Sequence, residues 1–244
     1  GTTAANNTGV SWTTSGTGTF SAGNTLTPTY TASAADIIAG NVTLTLTATG
    51  NSPCSDATSS MILTIIPAAI ANAGNDDDVC EGSSYVVSTA SASNYSTVNW
   101  TTSGTGTFSA GNTLTPTYTA SAADIIAGNI TLTLTANGNA PCGDATSSMI
   151  LTIIPAPTAD AGNDDDVCQG QTYTLSGTTA ANNTGVSWTT SGTGTFSTGN
   201  TLTPTYTPSL ADITAGNITL TLTAAGTGLC GDATSSMILT IIPA

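Results

Sequence analysis

Asn217-Ile-Thr-Leu-Thr-Leu-Thr223 alternates apolar and polar residues without a break. Period two puts Ile218, Leu220 and Leu222 on one face and Thr219, Thr221 and Thr223 on the other, which is the signature of a strand with a core side and a water side. Just upstream, Ser209-Leu-Ala-Asp-Ile-Thr-Ala215 breaks the alternation and reads as one helical turn ending at Gly216. Further strands flank it. In Thr201–Thr207 the inward set is Leu202, Pro204 and Tyr206, and a proline that cannot donate to a ladder marks an edge strand. Val186 and Trp188 share a face on another strand, and Ser236–Ile242 is apolar on nearly both faces, as suits a closing strand. Gly199-Asn200 and Ser191-Gly-Thr-Gly194 supply turns.

The same phrases recur at a fixed interval. Trp12, Trp100 and Trp188 lie 88 residues apart, as do Cys54, Cys142 and Cys230, and the helical turn reappears at Ser33–Ala39 and Ser121–Ala127. Between Val10–Ala68 and Val98–Ala156 only five of 59 positions differ: Ser11/Asn99, Val42/Ile130, Thr49/Asn137, Ser52/Ala140 and Ser55/Gly143. A unit of this length exceeds solenoid repeats and suits a small domain with its own core. The expected modules are residues 1–68, 69–156 and 157–244. Because Gly1–Gly16 repeats Gly177–Gly192 letter for letter, the first module is expected to lack its opening 20 residues.

About seven short strands and one central Trp per unit predict an all-β, immunoglobulin-like sandwich in tandem. A capped turn feeding a long strand resembles the crossover between its sheets. The linkers around Pro67-Ala68-Ala69 and Pro155-Ala156-Pro157 hold proline and almost no glycine, which predicts a stiff, nearly linear array.

Cysteines follow the period too. Cys80 and Cys142 are 62 residues apart, as are Cys168 and Cys230, so one bridge is expected within each complete module. The same rule leaves Cys54 unpaired, its partner falling before Gly1. Antibody domains space their cysteines differently, so this bridge is expected to brace the ends of the module. A small core gains much from such a staple, and paired cysteines imply an oxidising compartment. Zinc ligation is excluded by the absence of histidine and of closely spaced cysteine pairs.

The chain has no Lys, Arg or His against fourteen Asp and Glu, a net charge of -14. It cannot neutralise phosphates, which excludes nucleic acid and anionic membrane as electrostatic partners. No apolar run approaches the roughly 20 residues of a membrane span, so membrane insertion is not expected.

Tyr206-Thr-Pro-Ser-Leu-Ala-Asp-Ile-Thr-Ala-Gly-Asn-Ile-Thr-Leu-Thr-Leu-Thr223, then Cys230 and Ile-Ile-Pro243, resembles the PKD-like repeats of very large Bacteroidetes surface proteins. The opening Asp160-Ala-Gly-Asn-Asp164 followed by Cys168 resembles their module start. The likeness spans the chain in three copies and departs at the acidic triplets. It implies a sandwich fold, secretion to the bacterial cell surface, and a role in adhesion or gliding.

Catalytic constellations are missing. Without histidine or lysine there is no Ser-His-Asp triad, Ser–Lys dyad or Schiff base. Acids such as Asp212 and Asp232 recur in every copy, as scaffold residues do, so no enzyme and no required cofactor are expected. Asp76, Asp77 and Asp78, with Asp164, Asp165 and Asp166, form the one candidate ligand site. Clustered carboxylates suit Ca²⁺, which takes six to eight oxygens. The alternative is a solvated acidic loop. Thr-x-Thr strings such as Thr43–Thr47 invite an ice- or sugar-binding reading, yet threonine simply favours strands.

Two functions follow. One is a spacer: modules contact neighbouring modules of the same chain or filament and project an adhesive tip outside this sequence. The other is a repeated glycan- or polymer-binding module acting by avidity. Sugars stack on exposed aromatics, so the placement of Trp188, Phe196 and Tyr206 discriminates between them.

Overall fold

The computed structural model describes residues 1–243. The last repeat shows the architecture completely. Its larger sheet orders an opening strand (Asp165–Cys168), a closing strand (Ala233–Ile242), a central strand (Asn217–Ala225) and a tryptophan strand (Gly185–Thr190). The central strand is antiparallel to both neighbours, whereas the opening strand runs parallel to the closing one, with Cys168 opposite Ile242. A smaller sheet places Thr205–Thr207 between Tyr173–Thr174 and Thr195–Phe196. Thr158–Asp160 pairs with Thr179–Ala181. This is the tandem all-β, Ig-like sandwich expected from the alternation.

The core lies between the sheets, and the period-two pattern fills it. Ile218, Leu220 and Leu222 of the central strand and Met237, Leu239 and Ile241 of the closing strand join Trp188 of the same sheet, with Leu175 and Tyr206 from across the gap. The closing strand therefore has one apolar face inside, while Ile238 and Ile242 stay exposed; its double-sided look in sequence does not mean double burial. Trp188, Phe196 and Tyr206 stack in series with ring centroids 6.1 and 4.9 Å apart. Such tilted pairs add roughly 0.5–1.5 kcal/mol each beyond area burial.

The edge expected at Pro204 is corrected. The strand starts one residue later, at Thr205, and is the middle strand of its sheet. Proline lacks an N–H but keeps its carbonyl, and Pro204 O accepts from Leu175 N at 3.0 Å.

The chain divides into two compact units. One comprises Gly1–Asn72, Ser91–Asn99 and Leu134–Ser147; the other comprises Ala73–Ala90, Trp100–Thr133 and the chain from Ser148 onward. The repeat boundaries at Ala68 and Ala156 are not the boundaries of these units. In the first unit a three-stranded sheet orders Asn7–Thr14, Asn41–Gly50 and Ala57–Thr64, with no strand on the outer edge of Ala57–Thr64. Met61 there is 51% exposed, whereas its counterpart Met237 is 2% exposed beneath a complete sandwich. A cleft of about 180 Å³ lined by Trp12, Phe20, Tyr30, Leu44 and Met61 opens at that place.

Candidate functional site

The recurring helical turn is built around a buried aspartate. Ser209 caps the turn Leu210–Ala215, accepting from the Asp212 N–H, and Gly216 closes it in the left-handed region at φ 77°. Asp212 is 1% exposed in a chain without a single cationic side chain. Its charge is held by dipoles alone: Thr193 N–H donates to Oδ1 at 2.9 Å, while Gly194 N–H, Ser209 N–H and the Tyr206 hydroxyl donate to Oδ2 at 2.9, 2.9 and 2.8 Å. This explains Ser191-Gly-Thr-Gly194. A Cβ at Gly192 would fall on Asp212 Oδ1, and one at Gly194 on the Tyr206 hydroxyl.

Asp36 and Asp124 repeat the arrangement. Burial pushes the Asp124 carboxyl up, but the Ser121 and Thr105 N–H groups and the Tyr118 hydroxyl outweigh it, lowering its pKa from 3.8 to about 2. Asp212 is lowered by the same balance, and Asp36 is lowered chiefly by the Ser33 N–H. A dry carboxylate saturated with donors is a brace for the crossover between sheets.

The acidic opening loops do not assemble as the calcium reading requires. Asp164 Oδ1 accepts from Ile238 N at 2.7 Å, and Asp165 accepts from Asp166 N at 2.9 Å and from the Tyr173 hydroxyl at 3.0 Å. Asp76 and Asp77 do the same with Ile150, Asp78 and Tyr85. Burial, then the hydrogen bond to Asp165, pushes Tyr173 up to about 12, and Tyr85 beside Asp77 matches it. Asp160, Asp164 and Asp165 line a polar cleft of about 290 Å³. Yet among the described residues no three His, Cys, Asp or Glu side chains gather as metal ligands. The reason is local: Asp165 and Asp166 are consecutive in an extended strand, so their side chains leave on opposite faces. The residues of Asp76–Asp78 and Asp164–Asp166 do not fit a calcium cage.

The cysteines differ most from expectation. Cys80 is bonded to Cys230, 150 residues away in sequence, with Cα atoms 5.2 Å apart. The expected pairs Cys80–Cys142 and Cys168–Cys230 are absent, and Cys54, Cys142 and Cys168 are free thiols. Strand direction gives the reason. The opening strand runs parallel to the closing strand, so Cys168 ends beside Ile242, while Cys230 lies three residues before the other end of that ten-residue strand. Ten residues at about 3.3 Å each separate the two by roughly 30 Å. A disulfide needs Cα atoms within about 7 Å. Cys80 likewise ends opposite Ile154, at the exit of its own closing strand, and this brings it to the entry of the next repeat.

Cys230 thus belongs to a joint between repeats. Its sulfur lies 3.6 Å from Ile154 O; one repeat earlier, the Cys142 thiol donates to Ile66 O at 3.2 Å. At the bonded joint Ala156 N–H donates to Glu81 Oε2 at 3.1 Å, and Asn182 Nδ2 donates to Ala156 O at 3.1 Å. Asn182 sits at φ 53°, a left-handed conformation that asparagine tolerates. Asn94, at φ 57°, serves Ala68 O in the same way. Sequence reasoning missed this joint, because a period of 88 permits separations of 26 (Cys142 to Cys168), 62 and 150 equally. Strand direction alone selects among them.

No helix among the described residues is long and apolar enough to cross a membrane. The sequence matches no family model and no curated protein. Among solved structures it is similar to mouse cadherin-23 EC22-24, at 13% identity and TM-score 0.39 over 96% of this chain and 86% of that one. It is also similar to the titin I-band fragment I67-I69, at 17% identity and TM-score 0.45 over 82% and 74%. Likeness this loose leaves the functional reading to the repeat's own residues.

Proposed function

We propose that residues 1–68, 69–156 and 157–244 are spacer modules of a secreted bacterial surface adhesin or filament. Their task is to hold an adhesive tip away from the cell. The PKD-like resemblance to gliding and adhesion proteins of Bacteroidetes gives the setting, and the disulfide suits an oxidising, extracellular compartment. No catalytic role and no cofactor belong to this reading. Neither does binding of nucleic acid or insertion into a membrane.

One observation carries the choice of spacer over glycan binder. Of the twelve aromatic side chains, none is exposed; all are buried or partly buried. Trp188, Phe196 and Tyr206 form a core stack, and Tyr85 and Tyr173 are tied to aspartates. A sugar-binding surface needs an open ring to stack on, and a spacer needs only length. The test is an array of glycans and surface polymers probed with the purified chain. A flat response is expected. Saturable binding that weakens as copies are removed would overturn the spacer in favour of avidity.

A further inference from the structure

Cys80 ends the opening strand of the middle repeat, and Cys230 lies in the loop before the closing strand of the next. Every other cysteine occupies one of these two positions. Cys168 stands one period after Cys80, at the same place on its strand: Cys168 is opposite Ile242 as Cys80 is opposite Ile154. Cys54 and Cys142 stand two periods and one period before Cys230. From these positions we infer a rule: the opening-strand cysteine of each repeat bonds the closing-loop cysteine of the repeat that follows. Cys168, Cys142 and Cys54 are then attachment sites for the thiols of further copies of this repeat.

The rule accounts for all five cysteines. Within this chain only Cys80 and Cys230 satisfy it, and they are the two that are bonded; the other three are free. Cys54 and Cys168 are moreover exposed, so a partner thiol can reach them. The chemistry needs an oxidant, which is a disulfide donor such as an oxidised small thiol or a thiol-disulfide oxidoreductase. One cysteine thiolate attacks the donor disulfide and releases one thiol. The second cysteine then displaces the other thiol from the mixed disulfide. Two protein thiols and one donor disulfide become one protein disulfide and two donor thiols.

The joint has a mechanical consequence. Tension entering the middle repeat passes along Asp77–Cys80, crosses to Cys230 and leaves by Ala233–Ile242. The sandwich residues between the two cysteines lie outside that covalent path. Repeated along an array, the rule gives two interleaved covalent lines that skip the interiors of successive modules.

The experiment maps disulfides. Lacking Lys and Arg, the chain resists trypsin, so pepsin at acid pH is used after alkylation; acid also halts thiol exchange. The chain itself should yield a Cys80–Cys230 linked peptide with Cys54, Cys142 and Cys168 alkylated. Two further arms distinguish the source of the next copy. In one, concentrated chain is oxidised with glutathione disulfide, and a link from Cys168 to Cys54 or Cys142 of a second chain, lost in Cys168→Ser, supports joining between chains. In the other, the chain is extended by a further copy of residues 157–244, and a bond from Cys168 to the loop cysteine of the added copy supports joining within a chain. Links within one repeat, Cys80–Cys142 or Cys168–Cys230, would overturn the rule. So would Cys168 remaining unlinked to another copy in both arms.

Discussion

Reducing Cys80–Cys230 should lengthen the stretched molecule by a calculable amount. With the bond intact, a chain pulled from its ends can extend only before Cys80 and after Cys230. Reduction frees the intervening 150-residue span, whose ends begin only 5.2 Å apart. At about 3.3–3.6 Å per residue the gain in contour length is roughly 500 Å. Single-molecule force spectroscopy with and without reductant reads this directly, and Cys80→Ser should reproduce the reduced trace under oxidising conditions. The same bond has a thermodynamic signature. Closing a loop of about 150 residues stabilises by about 5 kcal/mol in the chain-entropy model, so the reduced form should melt measurably earlier. Equal contour lengths for oxidised and reduced protein would refute the bypass, and two separate gains of about 200 Å each would instead indicate bonds closed within single repeats.

The buried aspartate offers further tests. Asp212→Ala strips acceptors from three N–H groups and the Tyr206 hydroxyl, and should cost about 3–5 kcal/mol by urea denaturation, against under about 0.5 kcal/mol for an exposed control such as Asp166→Ala. Acid should destabilise in a defined window. The Asp124 carboxyl titrates at about 2 folded against 3.8 ordinarily, so its contribution is complete above pH 4 and is lost as pH falls toward 2. Urea midpoints measured in about 1 M salt, which shortens the screening length to about 3 Å and suppresses repulsion among the exposed acids, should fall through that window; midpoints that rise would contradict the assignment. Calcium should leave the melting temperature unchanged relative to chelator, because Asp76–Asp77 and Asp164–Asp165 already hold N–H and hydroxyl donors. A rise with calcium would show that the acidic loops rearrange around the ion.

Whatever depends on local period and composition is legible along the chain. Alternation in Asn217–Thr223 fixes which residues face the core, and Ser209 with Gly216 fixes a one-turn helix between strands. The missing histidine and lysine leave no Ser-His-Asp triad, Ser–Lys dyad or Schiff base, and the 88-residue interval sets the repeat. Each of these is a property of neighbours along the chain, or of the chain counted whole. Tertiary structure alone decided which distant groups meet. Asp212 reads as one more scaffold acid until the Gly192–Gly194 turn folds over it and supplies its donors. The acidic triplet reads as a cluster until strand geometry sends alternate carboxylates apart. The cysteine spacing fits several pairings until a parallel opening strand carries Cys80 to the exit of its repeat, beside Cys230. A repeat fixes distances along the sequence only modulo its period, whereas a covalent bond depends on strand direction, which the period does not contain.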